Sequence, residues 1–281
     1  MPEYLRADIA TLFDDWRPGA PPARLSAALF DGALIVMRGL EPVERLCRRA
    51  RTLVEEAFET SDPVRAEACM APAAFRQAAV RARKAVEQDT DVDQCWRDSL
   101  AAIGHDPAAC WLDRIKLRVV PSSKEVHGRV IRPLPPHRDT WGSGIMAQIN
   151  WWLPLYPLDA PRTMLLWPEM FRRPIANDSA GWDYEALIHG DRKNYPLLPI
   201  AAEMPHDPAL PVLIEPGALL AFSAAHLHAS TTDASGLCRF SIDTRSIWAN
   251  DLNTGRGAPN VDGCTRRAHW EWFSRPSLSG I

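Results

Sequence analysis

The chain has 281 residues, of which 46% are hydrophobic and 24% charged, and its formal net charge is −3. This composition supplies enough apolar side chains for a sizeable core and excludes a disordered protein. The slight acidity, with no block of Lys and Arg, argues against nucleic-acid binding, which needs a basic surface. A single domain over residues 1–281 is expected, because β-barrels with helical additions reach this length.

The first 16 residues carry acids inside their apolar pattern, so they lack the unbroken apolar stretch of a signal peptide. No run approaches the roughly 20 apolar residues of a membrane span. The six cysteines are scattered without a C-x-x-C pair, which is typical of reduced core thiols. We therefore expect a cytoplasmic protein that binds no membrane and takes a small-molecule substrate, with a homodimer left open.

Residues 1–110 are predicted to form a mostly helical support region. A short apolar segment bracketed by glycines, Gly32–Gly39, is typical of one buried strand. Apolar residues recurring at three- and four-residue steps, or a composition rich in Ala, Arg and Gln, predict helices after it. These helices are Pro42–Phe58, Ala73–Glu87 and Val92–Ile103, the last with Thr90 or Asp91 as its N-cap and Gly104 as its end.

Residues 111–248 are predicted to form a β-core, followed by a C-terminal loop or helix over 249–281. Short β-like runs separated by Pro, Gly and Asp indicate a barrel or a jelly roll (double-stranded β-helix), so the fold class is mainly β with α additions. The runs are Leu112–Val120, Ile145–Leu153, Thr163–Trp167, Val212–Glu215, Ala218–Phe222 and Arg239–Ile247. The long segment Phe171–Pro211 between strands has the length of a lid or binding loop.

The motif His137-x-Asp139 predicts a metal site. On a strand, residues two apart point to the same face, so an imidazole and a carboxylate can reach one ion. A third ligand comes from the segment that holds His226 and His228, and the eleven-residue step from His228 to Arg239 favours His228. Two histidines and a carboxylate suit oxygen-activating ferrous iron, although zinc sites use similar ligands.

Arg239 begins an alternating polar run with Ser241, Asp243 and Arg245, which places these side chains on one strand face. An arginine that faces a barrel interior needs an anionic partner, because its buried charge must be paired. A guanidinium fork suits a carboxylate, such as the distal one of 2-oxoglutarate.

With these motifs the sequence resembles the iron(II)/2-oxoglutarate oxygenase superfamily, and more loosely its phytanoyl-CoA dioxygenase-like branch. The resemblance rests on His137-x-Asp139, Pro216-Gly217-x-Leu-Leu-x-Phe222, Leu227-His228-Ala-Ser230 and Arg239-x-Ser241. It implies that His137, Asp139 and His228 bind Fe(II), and that Arg239 binds the 2-oxoglutarate carboxylate with help from Ser230 and Ser241. It also implies that O₂ oxidises a substrate C–H bond while 2-oxoglutarate is decarboxylated to succinate.

Further cavity residues are predicted from strand alternation. Gln148, Asn150 and Trp152 share one face directly after the metal motif, and that face either lines the cavity or lies outward. Arg118 alternates with Arg114 and Lys116, where an anion-binding role competes with an ordinary solvated face. If the strand of Asp139 continues, Trp141 forms a wall of the pocket near the iron. Many of the eleven tryptophans, such as Trp270 and Trp272, are more simply core or interface residues.

The expected function is a hydroxylase of a small polar metabolite or natural-product intermediate, and the resemblance implies that an intact Asp139 favours hydroxylation or a related desaturation or cyclisation. One alternative is a cupin-like isomerase or zinc hydrolase that does not use 2-oxoglutarate. The other is a non-catalytic binding module, against which the three retained ligands argue. The substrate is not predicted, since similarity of fold does not carry substrate identity.

Overall fold

The computed structural model describes residues 22–190, 195–231 and 234–275. The segment tested for a signal peptide lies outside these residues. The described α-helices are α1 (Pro22–Asp31), α2 (Glu41–Phe58), α3 (Ala66–Cys69), α4 (Pro72–Gln88), α5 (Thr90–Ile103), α6 (Asp139–Ser143), α7 (Tyr184–His189) and α8 (Ala249–Asn253). No helix in the described part of the chain is long and apolar enough to cross a membrane.

The predicted helices of the N-terminal region are present, because each buries one apolar face. In α2, Val43, Ala50 and Val54 lie on the buried face, and Pro42 occupies its first turn, where no amide donor is needed. The N-cap of α5 is Asp89, whose carboxylate accepts a hydrogen bond from the Val92 amide (2.9 Å). The prediction of Thr90 or Asp91 as this cap is therefore wrong by one or two residues, since both lie inside the helix.

Within residues 22–190, 195–231 and 234–275, ten strands form two antiparallel sheets. Their bounds are β1 (Leu34–Met37), β2 (Cys110–Asp113), β3 (Lys116–Val120), β4 (Ile149–Pro154), β5 (Met164–Leu166), β6 (Leu210–Pro211), β7 (Leu219–Ser223), β8 (His228–Ser230), β9 (Arg239–Trp248) and β10 (Phe273–Ser274). The larger sheet has the order β1-β7-β4-β9-β2-β10, with β3 also paired to β9. The smaller sheet has the order β6-β5-β8.

Several strand predictions need correction. The predicted run Leu112–Val120 is two strands, because the chain leaves the sheet between Asp113 and Lys116. The run Val212–Glu215 is not a strand, and the pairing there is limited to Leu210–Pro211. β4 begins at Ile149 and not at Ile145, since the residues after α6 first form a turn.

The helices cover one face of the larger sheet. α2 packs against α4 and α5, and α4 also packs against β3. Edge-to-face aromatic contacts connect the helices to the sheet. The ring centroid of Phe58 in α2 lies 5.4 Å from the ring centroids of Phe75 and of Phe240. The result is a mixed helix and antiparallel-sheet architecture, which confirms the predicted combination of helical support and β-strands. The other face of the larger sheet is left for a cavity.

The pairing register of β3, β4 and β9 places their polar residues side by side on that other face. Trp152 of β4 and Lys116 of β3 both lie opposite Asp243 of β9. Because side chains alternate along each strand, Arg118, Ser241 and Arg245 share this face. The smaller sheet supplies Met164, His228 and Ser230 to the same cavity.

Candidate metal centre

His137 and His228 are brought together by a two-residue antiparallel bridge. The His137 amide donates to the His228 carbonyl oxygen (2.9 Å), and the His228 amide donates to the His137 carbonyl oxygen (3.0 Å). Their ring centroids lie 4.1 Å apart. The distance between these two imidazoles is therefore set by the main chain, although the residues lie 91 positions apart.

Asp139 does not continue a strand from His137, as the sequence interpretation assumed. It is the first residue of the short helix α6, because the chain turns after Arg138. The carboxylate still faces the histidines, with Oδ1 at 3.6 Å from Nε2 of His137. One ligand atom from each of His137, Asp139 and His228 lies within 4.8 Å of the others, and all three residues are buried.

Hydrogen bonds fix which imidazole nitrogen each histidine presents. Nδ1 of His137 donates to the Pro135 carbonyl oxygen (2.7 Å), and Nδ1 of His228 donates to the His226 carbonyl oxygen (3.0 Å). Because a carbonyl oxygen only accepts, both Nδ1 atoms carry the proton and both Nε2 atoms keep a lone pair. This is the second layer of contacts that orients histidine ligands in metal sites.

One oxygen of Asp139 is held by the protein and the other is left for a metal. Oδ2 accepts hydrogen bonds from Asn150 Nδ2 (2.8 Å) and lies 3.1 Å from Arg245 Nε. Gln148 in turn donates to Asn150 Oδ1 (2.8 Å). Burial opposes ionisation of Asp139, but Arg245, His228 and the other neighbours outweigh it, so the carboxyl pKa lies well below its usual value. A permanently ionised carboxylate is what metal binding requires.

The imidazole of His137 is held in the neutral, metal-binding form. Burial, together with the neighbouring His228, lowers its pKa to about 3. His226 is not part of the centre, because Nδ1 lies 3.2 Å from the Ser223 carbonyl oxygen and Nε2 lies 3.1 Å from the Gly32 carbonyl oxygen. The structure thus places His226 as a hydrogen-bonded neighbour, as the spacing argument favoured.

Arg239 lies in the same cavity with most of its hydrogen-bonding capacity unused. Its side chain is 4% exposed, and Nη2 donates to Ser230 Oγ (3.1 Å). Nε and Nη1 are buried and have no hydrogen-bond partner in the described part of the chain. The guanidinium carbon lies 6.0 Å from the centre of the Trp152 ring. Burial lowers the pKa of Arg239 to about 10, which leaves it charged at neutral pH.

The other predicted site residues are divided between the cavity and its surroundings. Asn150 and Arg118 line the cavity. Ser241 does not hydrogen-bond to Arg239 within the described residues, and its hydroxyl donates to Asp243 Oδ1 (3.5 Å). Gln148 lies behind Asn150 and outside the cavity lining.

Trp141 is not brought to the cavity, because α6 turns it away from Asp139. Its Nε1 donates to Asp262 Oδ1 (2.7 Å), and its ring is fully buried beside Trp167 and Leu227. The expectation of a pocket wall at Trp141 depended on a continuous strand and is wrong. Its partner Asp262 was not identified from the sequence, where it stands in a loop rich in turn-forming residues.

Asp243 and Arg245 are the cavity residues whose roles the sequence interpretation missed. Alternation along β9 placed both on the inner face but did not show their partners. Asp243 lies 3.5 Å from Arg118 Nε, and burial raises the pKa of its carboxyl. Arg245 joins two acids, since Nε lies 3.1 Å from Asp139 Oδ2 and Nη1 lies 3.4 Å from Asp113 Oδ2.

These residues surround a cavity of about 500 Å³. Its polar side comprises the metal-binding group, Arg239 and the inner faces of β3, β4 and β9. The lining also includes aliphatic residues from the loop before His137 and from the segment Phe171–Pro211. The volume is in the range of small-molecule sites in proteins.

No protein-family model matches the sequence, and no curated protein matches it. Solved structures similar to the chain include a non-haem monooxygenase, the ThoJ–Ni complex, at 17% identity over 79% of this chain and 77% of that chain, with a TM-score of 0.43. EvdO2 from Micromonospora carbonacea var. aurantiaca complexed with 2-oxoglutarate is 13% identical over 59% and 63%, with a TM-score of 0.39. EctD from S. alaskensis with bound Fe is 17% identical over 94% and 88%, with a TM-score of 0.45. All three TM-scores lie below 0.5, so the function proposed below rests on the site residues.

Proposed function

We propose that this protein is an iron(II)- and 2-oxoglutarate-dependent oxygenase that oxidises a C–H bond of a small molecule. The observation that carries the proposal is the combination, in one cavity, of a His-Asp-His group and a buried arginine with two unpartnered nitrogens. Within the same proposal, the two sheets that enclose this cavity form the double-stranded β-helix predicted from the sequence.

The three ligand residues fit a ferrous ion. Two imidazole nitrogens and one carboxylate oxygen leave further coordination positions open, which is the arrangement associated with oxygen-activating iron. When bound, iron with 2-oxoglutarate and O₂ supplies the oxidant for a C–H bond. His137, Asp139 and His228 hold the ion, and the contacts from Pro135, His226, Asn150 and Arg245 hold those ligands in place.

Arg239 fits the distal carboxylate of 2-oxoglutarate. A guanidinium binds both oxygens of a carboxylate through Nη2 together with either Nε or Nη1. In Arg239, Ser230 takes one of the two Nη2 hydrogens, and Nε and Nη1 have no partner in the described part of the chain, so one such pair of donors is available. Such a buried cation is costly unless an anion pairs with it. Ser230 orients the fork through Nη2, and Trp152 lies beside it.

A zinc hydrolase would use similar metal ligands and would leave Arg239 without a role. Succinate formation from 2-oxoglutarate, with ferrous iron and ascorbate, separates the two. We expect Arg239→Met to weaken 2-oxoglutarate binding at least about thirtyfold, because a buried charge pair is lost. Binding of 2-oxopentanoate, which lacks the distal carboxylate, should barely change.

The matched control for that variant is Arg38→Met, which removes a surface cation paired with Glu215 outside the cavity. It should leave 2-oxoglutarate binding unchanged. The proposal is wrong if the iron-loaded wild-type protein neither binds nor decarboxylates 2-oxoglutarate. If Arg239→Met kept the wild-type affinity for 2-oxoglutarate, the distal carboxylate would have to bind at another residue.

A further inference from the structure

Beyond the metal centre and the Arg239 site, the cavity lining includes two further groups of residues. Along one side, Arg114, Lys116 and Arg118 form a row of cations, called here the cationic row. The same cavity is lined by five aliphatic residues, called here the aliphatic wall: Val130, Leu134, Leu187, Leu197 and Leu198. A ligand that contacts both groups has a negatively charged end and an apolar body.

The cationic row leads from solvent into the cavity. Arg114 is exposed, the Lys116 side chain is 35% exposed, and the Arg118 side chain is 15% exposed. Lys116 is paired with Asp113. Arg118 has one acidic neighbour, Asp243, at 3.5 Å from Nε, while its Nη2 is buried and has no hydrogen-bond partner in the described part of the chain.

The charges that face the cavity do not balance. Arg83, Arg138 and Glu271 also line it, but each is paired with a residue outside the lining: Glu87, Asp262 and Arg267. The remaining lining has five cations and three carboxylates, namely Arg114, Lys116, Arg118, Arg239 and Arg245 against Asp113, Asp139 and Asp243. The two charges of a ferrous ion and the two of 2-oxoglutarate cancel each other. A positive excess therefore persists after both are bound, and it favours an anionic substrate.

Arg118 is not required for the co-substrate. Ser230 uses only one of the two Nη2 hydrogens of Arg239, and Nε and Nη1 have no partner within the described residues, so Arg239 alone can offer two donors to one carboxylate. The free Nη2 of Arg118 instead belongs to a second strand, β3, that lines the same cavity. A second anionic group, separate from 2-oxoglutarate, is the partner that this arrangement lacks.

We propose that the substrate is an organic anion, whose carboxylate or phosphate group binds Arg118 while its apolar body packs against the aliphatic wall. This inference rests on the proposed function, because it assigns the Arg239 site to 2-oxoglutarate. It names the class of substrate that the same cavity takes.

The test uses Co(II)-loaded protein saturated with 2-oxoglutarate, so that no turnover occurs, and measures dissociation constants by titration calorimetry. The probes share one ring and differ in their polar group: phenylacetate, phenyl phosphate, neutral phenylacetamide and cationic phenethylamine. At least one anion should bind, and at least about tenfold more tightly than the amide. The preferred anion tells whether the group is a carboxylate or a phosphate. Equal affinities for amide and anions, or no binding of either anion, would overturn the inference.

The decisive variant is Arg118→Met, with Arg38→Met as the control for loss of one positive charge. Arg118→Met should weaken binding of the preferred anion at least about tenfold and leave 2-oxoglutarate affinity within about twofold. An unchanged anion affinity would refute the assignment, and so would a loss confined to 2-oxoglutarate. Failure of the wild-type protein to bind 2-oxoglutarate would instead refute the proposed function, whichever probes bind.

Discussion

Asn150 is a neutral side chain that holds one residue of the candidate metal centre, Asp139, in place. It occupies Oδ2 of Asp139 through a 2.8 Å hydrogen bond, so Oδ1 remains for the ion. We expect Asn150→Leu to weaken Co(II) binding by about 10- to 100-fold, as removal of such supporting contacts does in metal sites. Because this change replaces one uncharged side chain with another, the net charge near the metal stays constant.

The graded control for Asn150→Leu is Gln148→Leu. Gln148 contacts Asn150 but not Asp139, so its loss should weaken Co(II) binding less. Titration of both variants with Co(II), followed by visible absorption or calorimetry, gives the comparison. Equal affinity of Asn150→Leu and the wild-type protein would show that Asp139 does not depend on this contact.

Buried histidines make the metal-free protein sensitive to acid. Burial lowers the pKa of His105 to about 4, that of His226 to about 4 and that of His137 to about 3. Their folded-state pKa values lie below the unfolded value of about 6.5, so the unfolded chain binds more protons. This contribution to stability is complete above about pH 6.5 and is lost as the pH falls towards 4, at about 1.4 kcal/mol per pH unit for each histidine.

Urea denaturation of metal-free protein between pH 7 and pH 4.5 checks this dependence. His105→Leu is the informative variant, since both of its ring nitrogens lack hydrogen-bond partners within the described residues. The free energy of unfolding of this variant should change less steeply with pH than that of the wild-type protein. Identical slopes would contradict the assignment of His105 as a neutral buried imidazole.

At the scale of elements, Arg138 and Asp262 join segments that are remote in the sequence. Arg138, between two metal ligands, donates from Nε to Asp262 Oδ2 (3.1 Å) and from Nη2 to the Met170 carbonyl oxygen (2.7 Å). Asp262 also accepts from Trp141 Nε1 and from the Ile175 amide. The metal-binding turn, the segment after Met170 and the C-terminal loop are thereby tied together.

We expect Asp262→Ala to lower the free energy of unfolding by about 3–5 kcal/mol, because it leaves the buried Arg138 charge unpaired. The side chains of Arg138 and Asp262 are only 1% and 6% exposed, so water cannot replace the lost partner. Urea denaturation measures the loss. Asp31→Ala, which breaks an exposed pair with Arg172, should cost less than about 1 kcal/mol. Similar values for the two variants would refute a structural role for Asp262.

The elements that could be predicted are those specified by local periodicity. The helix Glu41–Phe58 repeats apolar residues at helical steps, and the prediction missed its start by one residue. The strand Arg239–Trp248 was predicted from alternation and differs at its end by one residue. The turn at Asp139 was missed, because the fit of α6 depends on contacts with Asp262 and Ala224, which no local pattern records.

At the scale of the whole molecule, the proposed metal binding would be coupled to folding. The ligands come from two sheet-linked segments that converge only in the folded chain, so a bound ion stabilises the fold over the unfolded state. We expect Co(II), at 100 times its dissociation constant, to raise the free energy of unfolding by about 2.7 kcal/mol. His137→Ala should abolish this increment.

His226→Gln is the matched control for that measurement, since His226 is a buried histidine two residues from a ligand but outside the centre. It should lower stability without removing the increment from Co(II). Loss of the increment in His226→Gln, together with its retention in His137→Ala, would show that the wrong histidine has been assigned. Urea denaturation with and without Co(II) gives both values.

The sequence predicted the identity of the residues that converge in the cavity better than it predicted their orientation and their hydrogen-bond partners. His137, Asp139, His228 and Arg239 were identified from spacing, and the structure places all four in one cavity. The orientation of the two rings by carbonyl oxygens could not be predicted, because it depends on a bridge between residues 91 positions apart. The partners of Arg245 likewise lie on other strands and loops, where sequence distance gives no guide.

Because of the bridge between His137 and His228, the distance between these two positions does not depend on which side chains they carry. Both of its hydrogen bonds use main-chain atoms alone, so either side chain can be exchanged without loosening the pair. A protein engineer could install a thiolate or a second carboxylate at position 137 or 228 and keep the Cα separation. The same scaffold would then present a different donor set to a different ion, with the geometry inherited from the backbone.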